Sequence, residues 1–284
     1  MEVDKVNVLS NEKYSEVVKF IGKFKGLPIN CDLELKKVFK DIDENTLSSI
    51  LYSEWNHKIK AQFHKIQAIA PKMLKRFEDA ANKKFDDKIL VNMSIQCGLS
   101  PTILSRLIIN EKYPNLPKNK ILEMIKNPYT IPDDCLAANA RACSFCDNQD
   151  GPIVDVIRRC VGEEYEQKLK NMASEAGMVF YDEGDLRRVG FDKTPDLKLA
   201  LPCLYKEKVV NWIESKALFG DLRTHRRYLR EQLTSYCNRF GPGIVIYWFG
   251  YLEDIKYLSE NSNGLIIINT FPDKTELEFL KIDI

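Results

Sequence analysis

Apolar side chains recur three and four positions apart over residues 33–40, 46–66 and 71–84, the spacing of an amphipathic helix. Glycine is scarce from 27 to 97, and runs of β-branched residues are absent. A further periodic stretch, 88–113, is interrupted at Cys97-Gly98. Ser100 is a good N-cap there, and Pro101 sits at a first helical position, where its missing N–H costs nothing. Helix, short glycine-containing turn, helix is the outline of a helix-turn-helix. The pattern alone does not separate that motif from two packed bundle helices. Residues 111–120 punctuate the chain, a short helix is predicted at 120–127, and 127–134 reads as a linker.

After residue 150 the pattern changes. A long helix is predicted over 153–175, ending before Gly177. Compact apolar runs follow at 178–181, 197–205, 209–217, 243–250 and 264–271, with a charged helical stretch at 221–240 closed by Gly241-Pro242-Gly243. Strands interleaved with helices predict a mixed α/β domain whose sheet lies between helices. The chain thus reads as α/β overall, with a helical, helix-turn-helix-like part (1–130) followed by a mixed-sheet part (131–284).

Composition narrows the classes without choosing one. With 284 residues, 44% hydrophobic and 29% charged, the chain is an ordinary globular one, which excludes disorder and collagen-like repeats. No apolar run approaches the ~18 residues of a membrane span. The N-terminus has no basic segment followed by an apolar one, so the chain is not expected to be secreted. The formal charge is +1, from +3 over residues 1–150 and −2 over 151–284. Any polyanion would therefore be bound by a local patch. The eight cysteines read as reduced thiols in a chain of this length. Cys143-x-x-Cys146, flanked by Cys135 and Cys160, matches no common structural zinc spacing. His57 and His64 stand seven apart, outside the usual i, i+3 or i+4 ligand pairs.

The chemistry concentrates in two strands. Asp196 opens the first, and Glu214 and Lys216 lie in the next. Residues two apart on a strand point to one face, so Glu214 and Lys216 project together. Charges on an apolar, central strand are expensive unless paired, hydrogen-bonded or bound to metal. Two carboxylates and an ammonium suit a hard divalent cation, Mg²⁺ or Mn²⁺, or else form a buried ion pair with Asp196 as a turn residue. At the start of the following charged helix, His225, Arg226, Arg227 and Arg230 are candidate phosphate contacts, with Lys193 and Arg239 as weaker ones.

The segments KTPDLKL (193–199) and WIESKALFGD (212–221), with IPDD (131–134), GPIVDVI (151–157) and NRFGPGIVIYWFG (238–250), resemble the TPD family of PD-(D/E)xK nucleases, typified by a codanin-interacting nuclease. The resemblance covers essentially the whole chain and implies a restriction-endonuclease-like fold for the mixed-sheet part. It implies Asp196 and Glu214 as metal-binding carboxylates and Lys216 as the catalytic lysine. It adds Glu166 as an acid from the preceding helix, with Glu163 and Glu164 as neighbouring alternatives. It also adds Gln232 and Tyr236 on the helix after Lys216, Gln232 to the catalytic group and Tyr236 to nucleic-acid binding. The implied activity is metal-dependent hydrolysis of phosphodiester bonds in DNA, structured or branched DNA included. A codanin-like partner, homodimer formation, and nuclear and cytoplasmic residence are further expectations. The alternative is a catalytically silent nuclease-fold scaffold or a nucleic-acid-binding adaptor.

Overall fold

The computed structural model describes residues 6–260 and 264–279. It divides into two compact units, each discontinuous in sequence. One comprises the described parts of Met1–Val17, Lys40–Ile50 and Cys160–Ile284; the other comprises Val18–Phe39 and Leu51–Arg159.

The second unit is helical. It is built from α1 (Asn11–Lys23, in part), α2 (Pro28–Val38), α3 (Glu44–Ala68, in part), α4 (Ala70–Ala81), α5 (Ile89–Cys97), α6 (Pro101–Lys112), α7 (Lys118–Lys126), α8 (Asp134–Cys146) and the first part of α9 (Pro152–Glu175). Phe77, Leu90, Leu104, Ile108 and Leu136 form its fully buried centre. The predicted stop between α5 and α6 is present. Gly98 takes the left-handed conformation, φ 67°, and its N–H bonds back to the Ser94 carbonyl. The Ser100 hydroxyl accepts the Ile103 N–H at the start of α6. Most of α6 is buried, with Arg106 and Asn110 exposed. A helix that reads a DNA groove needs an open face, and α6 spends most of its surface on packing. The stretch read as a linker, 127–134, holds a short 3₁₀ turn (Pro128–Thr130) and then Asp133, whose carboxylate caps α8 by accepting the Leu136 N–H.

The first unit carries the sheet. Its strands are β1 (Val8–Leu9), β2 (Phe180–Asp182), β3 (Leu197–Tyr205), β4 (Lys208–Lys216), β5 (Gly243–Tyr247), β6 (Tyr251–Leu252), β7 (Leu265–Ile268) and β8 (Leu277–Phe279). The main sheet runs β2-β3-β4-β5-β7, with β8 on β3. β2, β3 and β4 are antiparallel neighbours, whereas β4, β5 and β7 are parallel. β4 is therefore central, and Val210, Trp212 and Ile213 on it are fully buried. At Gly243, which opens β5, a Cβ would stand 2.2 Å from the Trp212 ring, so only glycine lets the two strands close there. β1 and β6 form a separate parallel pair. The remaining helices are α10 (Glu183–Arg188), α11 (Leu222–Tyr228), α12 (Thr234–Phe240) and α13 (Asp254–Glu260). A π-helical turn, Leu229–Leu233, joins α11 to α12. No helix among the described residues is long and apolar enough to cross a membrane.

Candidate functional site

The end of β4 and the start of β3 bring Asp196, Glu214 and Lys216 together. The register sets Leu197 opposite Ile213, so Asp196 falls beside Glu214. The Asp196 N–H donates to Glu214 Oε2 at 3.2 Å, and the Ser215 N–H donates to Asp196 Oδ2 at 2.7 Å. Lys216 Nζ donates to Glu214 Oε1 at 2.6 Å. The Glu214 side chain is 4% exposed and that of Lys216 14%, so this is a largely desolvated pair with one open side. Glu214 and Lys216 do project together, as the two-residue period requires.

The second wall of the site is the helical stretch after β4. Asp221 starts it, accepting the N–H groups of Arg223 and Thr224 with its carboxylate. The π turn adds a residue to the helix, a deviation that recurs at functional sites. Gln232 lies within it, and its Oε1 accepts from Lys216 Nζ at 3.3 Å. Tyr228, four residues earlier, places its ring centroid 4.7 Å from Lys216 Nζ. Sequence reasoning missed Tyr228; its only signal was that it precedes Gln232 by one helical turn. Ser215, between Glu214 and Lys216 on the strand, faces the other side of the sheet, where its Oγ accepts from Trp248 Nε1 at 2.8 Å.

The electrostatics follow from this crowding. Burial, and then the negative charge of Glu214, push the Asp196 carboxyl well above the usual carboxylate range, against the pull of Lys216 and the Ser215 N–H. Burial alone would lower Lys216, but the carboxylates of Glu214 and Asp196 outweigh it and hold the ammonium above the ordinary lysine value. Lys216 is thus charged at neutral pH. Glu166, on α9, is raised by burial and by the charges of Glu183 and Glu214. It is exposed and feels the site at range. Among the described residues, no three His, Cys, Asp or Glu side chains are gathered closely enough to hold a metal together. A hard divalent ion asks for one or two carboxylates, with water or phosphate oxygens completing its shell. The adjacent Asp196 and Glu214, one of them strained towards protonation by the other's charge, fit such an ion. Cys135 and Cys146 are part-buried, Cys143 buried and Cys160 exposed, all as free thiols.

The surrounding basic residues divide sharply. Arg226, Arg227 and Arg230 are exposed. Arg227 lies over the Tyr228 ring at 5.0 Å, and Arg230 pairs loosely with Glu231 at 3.6 Å. Lys193 is exposed but donates to the Glu231 carbonyl at 2.8 Å, and Arg239 pairs with Asp192 at 2.9 Å. Two expectations are corrected. His225 is fully buried, with Nδ1 2.9 Å from the Tyr247 hydroxyl and Nε2 3.4 Å from that of Ser259, so it has no access to a phosphate. Tyr236 is also buried, its ring edge-on to Trp212 at 5.4 Å, and it offers no surface to nucleic acid. It remains near the site: burial and then the charges of Glu214 and Asp196 raise its phenol.

A family model described as a protein of unknown function with the TPD sequence motif matches residues 132–271. This span contains Asp196, Glu214, Lys216 and Gln232. The chain is 34% identical over 267 residues to a Danio rerio protein named CDAN1-interacting nuclease 1, covering 92% of this chain and 88% of that one. To the Homo sapiens protein of the same name it is 33% identical over 274 residues, covering 93% and 96%. The Gallus gallus protein, again so named, is 31% identical over 273 residues. No solved structure matches the chain. Similarity at this level along almost the full length of both chains places this protein in the TPD-motif family of the CDAN1-interacting nuclease 1 proteins.

Proposed function

We propose that the protein is a divalent-metal-dependent nuclease of PD-(D/E)xK type that hydrolyses phosphodiester bonds in DNA and works with a codanin-like partner in the nucleus and cytoplasm. The observation that carries this reading is the meeting of Asp196, Glu214 and Lys216 at one open-sided point of a buried sheet. The names of the relatives support the nuclease class and the partner.

In this reading Asp196 and Glu214 hold Mg²⁺ or Mn²⁺, and Glu166 adds negative charge from α9. When bound, such an ion supplies Lewis acidity that eases ionisation of water and offsets charge on the phosphate. Lys216 donates to Glu214 and stands beside the carboxylates that would hold the ion. It orients the attacking water or stabilises the phosphoryl oxygens as negative charge builds on them. Gln232 fixes the direction of the ammonium by accepting a hydrogen bond from it. The Tyr228 ring holds it by a cation–π contact that leaves its charge intact. Arg226, Arg227 and Arg230 hold the backbone of the substrate, a role that needs charge and no base readout.

Purified protein with Mn²⁺, tested against single-stranded, flapped and branched DNA and against RNA, should cut DNA. Asp196→Asn and Lys216→Ala should each lower the rate by roughly 100-fold or more. Equal cleavage by the variants would sink the assignment. DNA binding without cleavage by the unaltered protein would favour the silent scaffold.

A further inference from the structure

The helical unit exposes an aromatic-rich face that the proposed catalytic site does not use. Tyr129, in the 3₁₀ turn, is 76% exposed, Phe145 at the end of α8 is 72% exposed, and Ile153 in the first turn of α9 is 43% exposed. The three line one open cavity of about 210 Å³. Val156 and Ile157 lie three and four residues beyond Ile153 on α9, on the same helical side, and are also exposed. Contiguous exposed apolar surface of this kind marks interaction sites on soluble chains. Aromatic residues and arginine supply most binding hot spots, and this face has both.

Its charge pattern identifies the occupant. The charged side chains lining the cavity are Lys126 and Arg141, both cationic. Arg141 is already ordered: Nη1 donates to the Tyr129 hydroxyl at 2.8 Å, and the guanidinium lies 5.5 Å from the ring centroid. The complement is a segment with apolar anchors and carboxylates. The cavity falls below the roughly 300–1,000 Å³ of sites that enclose a small molecule. Three aliphatic side chains on α9 offer nothing to a phosphate backbone.

We propose that this face is the docking site for an acidic, apolar-anchored segment of the codanin-like partner. The proposal rests on the partner reading given above and locates it. Tyr129 and Phe145 would insert between partner side chains, and Arg141 and Lys126 would pair with its carboxylates at the rim. Because the aromatic rings are mostly in solvent, truncating them leaves the helical core intact.

The test titrates the full-length chain with purified codanin protein from the same organism by isothermal calorimetry, with DNA cleavage measured in parallel. Tyr129→Ala and Phe145→Ala should each weaken binding on the order of 30-fold, as hot-spot truncations do. Arg141→Glu should weaken it further at low salt than at high salt. Cleavage and circular dichroism should be unchanged in all three. Equal affinities for the unaltered chain and the variants would overturn the docking face while leaving the partner reading intact. No binding by the unaltered chain would overturn the partner reading and the docking face with it. Self-association that the variants lose, with codanin binding retained, would assign the face to a second copy of this chain and overturn the proposal.

Discussion

His225 and its neighbour Arg226 are adjacent in sequence and opposite in fate. The arginine stands in solvent, while the imidazole is enclosed between the hydroxyls of Tyr247 and Ser259. Burial pushes the imidazole from its ordinary 6.5 down to about 4. In the window between those values the unfolded chain binds a proton that the native chain refuses, so stability falls as pH is lowered and levels off below about 4. At pH 5 the loss from this group alone is on the order of 2 kcal/mol. Urea unfolding at pH 7.5 and pH 5 should show this fall, and His225→Gln should remove that part of it. An unchanged pH dependence in the variant would show that other groups carry it. Lys216 illustrates the opposite balance. Burial lowers it, two carboxylates raise it, and the carboxylates prevail.

At the scale of elements, β3 and β4 lie within one residue of the predicted strands because their apolar runs are continuous. α8 has no clear signature in the sequence, since LAANARACSFC (136–146) is rich in small residues and lacks a strong three-and-four pattern. The π turn was unreadable for another reason. One added residue in a helix leaves no compositional trace, yet it accompanies the approach of Gln232 to Lys216. Packing makes two elements especially sensitive. Gly243→Ala would drive a methyl group into the buried Trp212 ring, and should cost about 1–3 kcal/mol as overpacking does. Ser100→Ala removes the α6 cap and a bond to the buried Asp147, and should cost about 1–2 kcal/mol. Denaturant midpoints measure both. A neutral Gly243→Ala would mean that β5 can shift away from β4.

For the whole molecule, under the proposed nuclease function, a formal charge of +1 would limit long-range capture of DNA and leave binding to a local patch. Three exposed arginines, Arg226, Arg227 and Arg230, define it. Replacing each by alanine should reduce the slope of log affinity against log salt by about 0.9 in magnitude for duplex DNA, without changing sequence preference. Fluorescence anisotropy at 50–200 mM salt would show this, and a slope that stays constant in the triple variant would place the phosphate contacts elsewhere.

The sequence by itself determined the grouping of the chemistry. Side-chain alternation along a strand is local, so Glu214 and Lys216 had to share a face, and a charged pair on a central strand had to be partnered. It also determined most helices and strands, because their periods are read within a window of a dozen residues. The tertiary structure decided what depends on distant parts of the chain. It placed Asp196 beside Glu214 through the β3–β4 register, and it joined residues 8–9 to 251–252 through the β1–β6 pair. It buried His225 and Tyr236 while leaving Arg226, Tyr129 and Phe145 in solvent. Burial and pairing of this kind are set by segments that lie from about 20 to more than 200 residues apart, beyond the window of any local pattern.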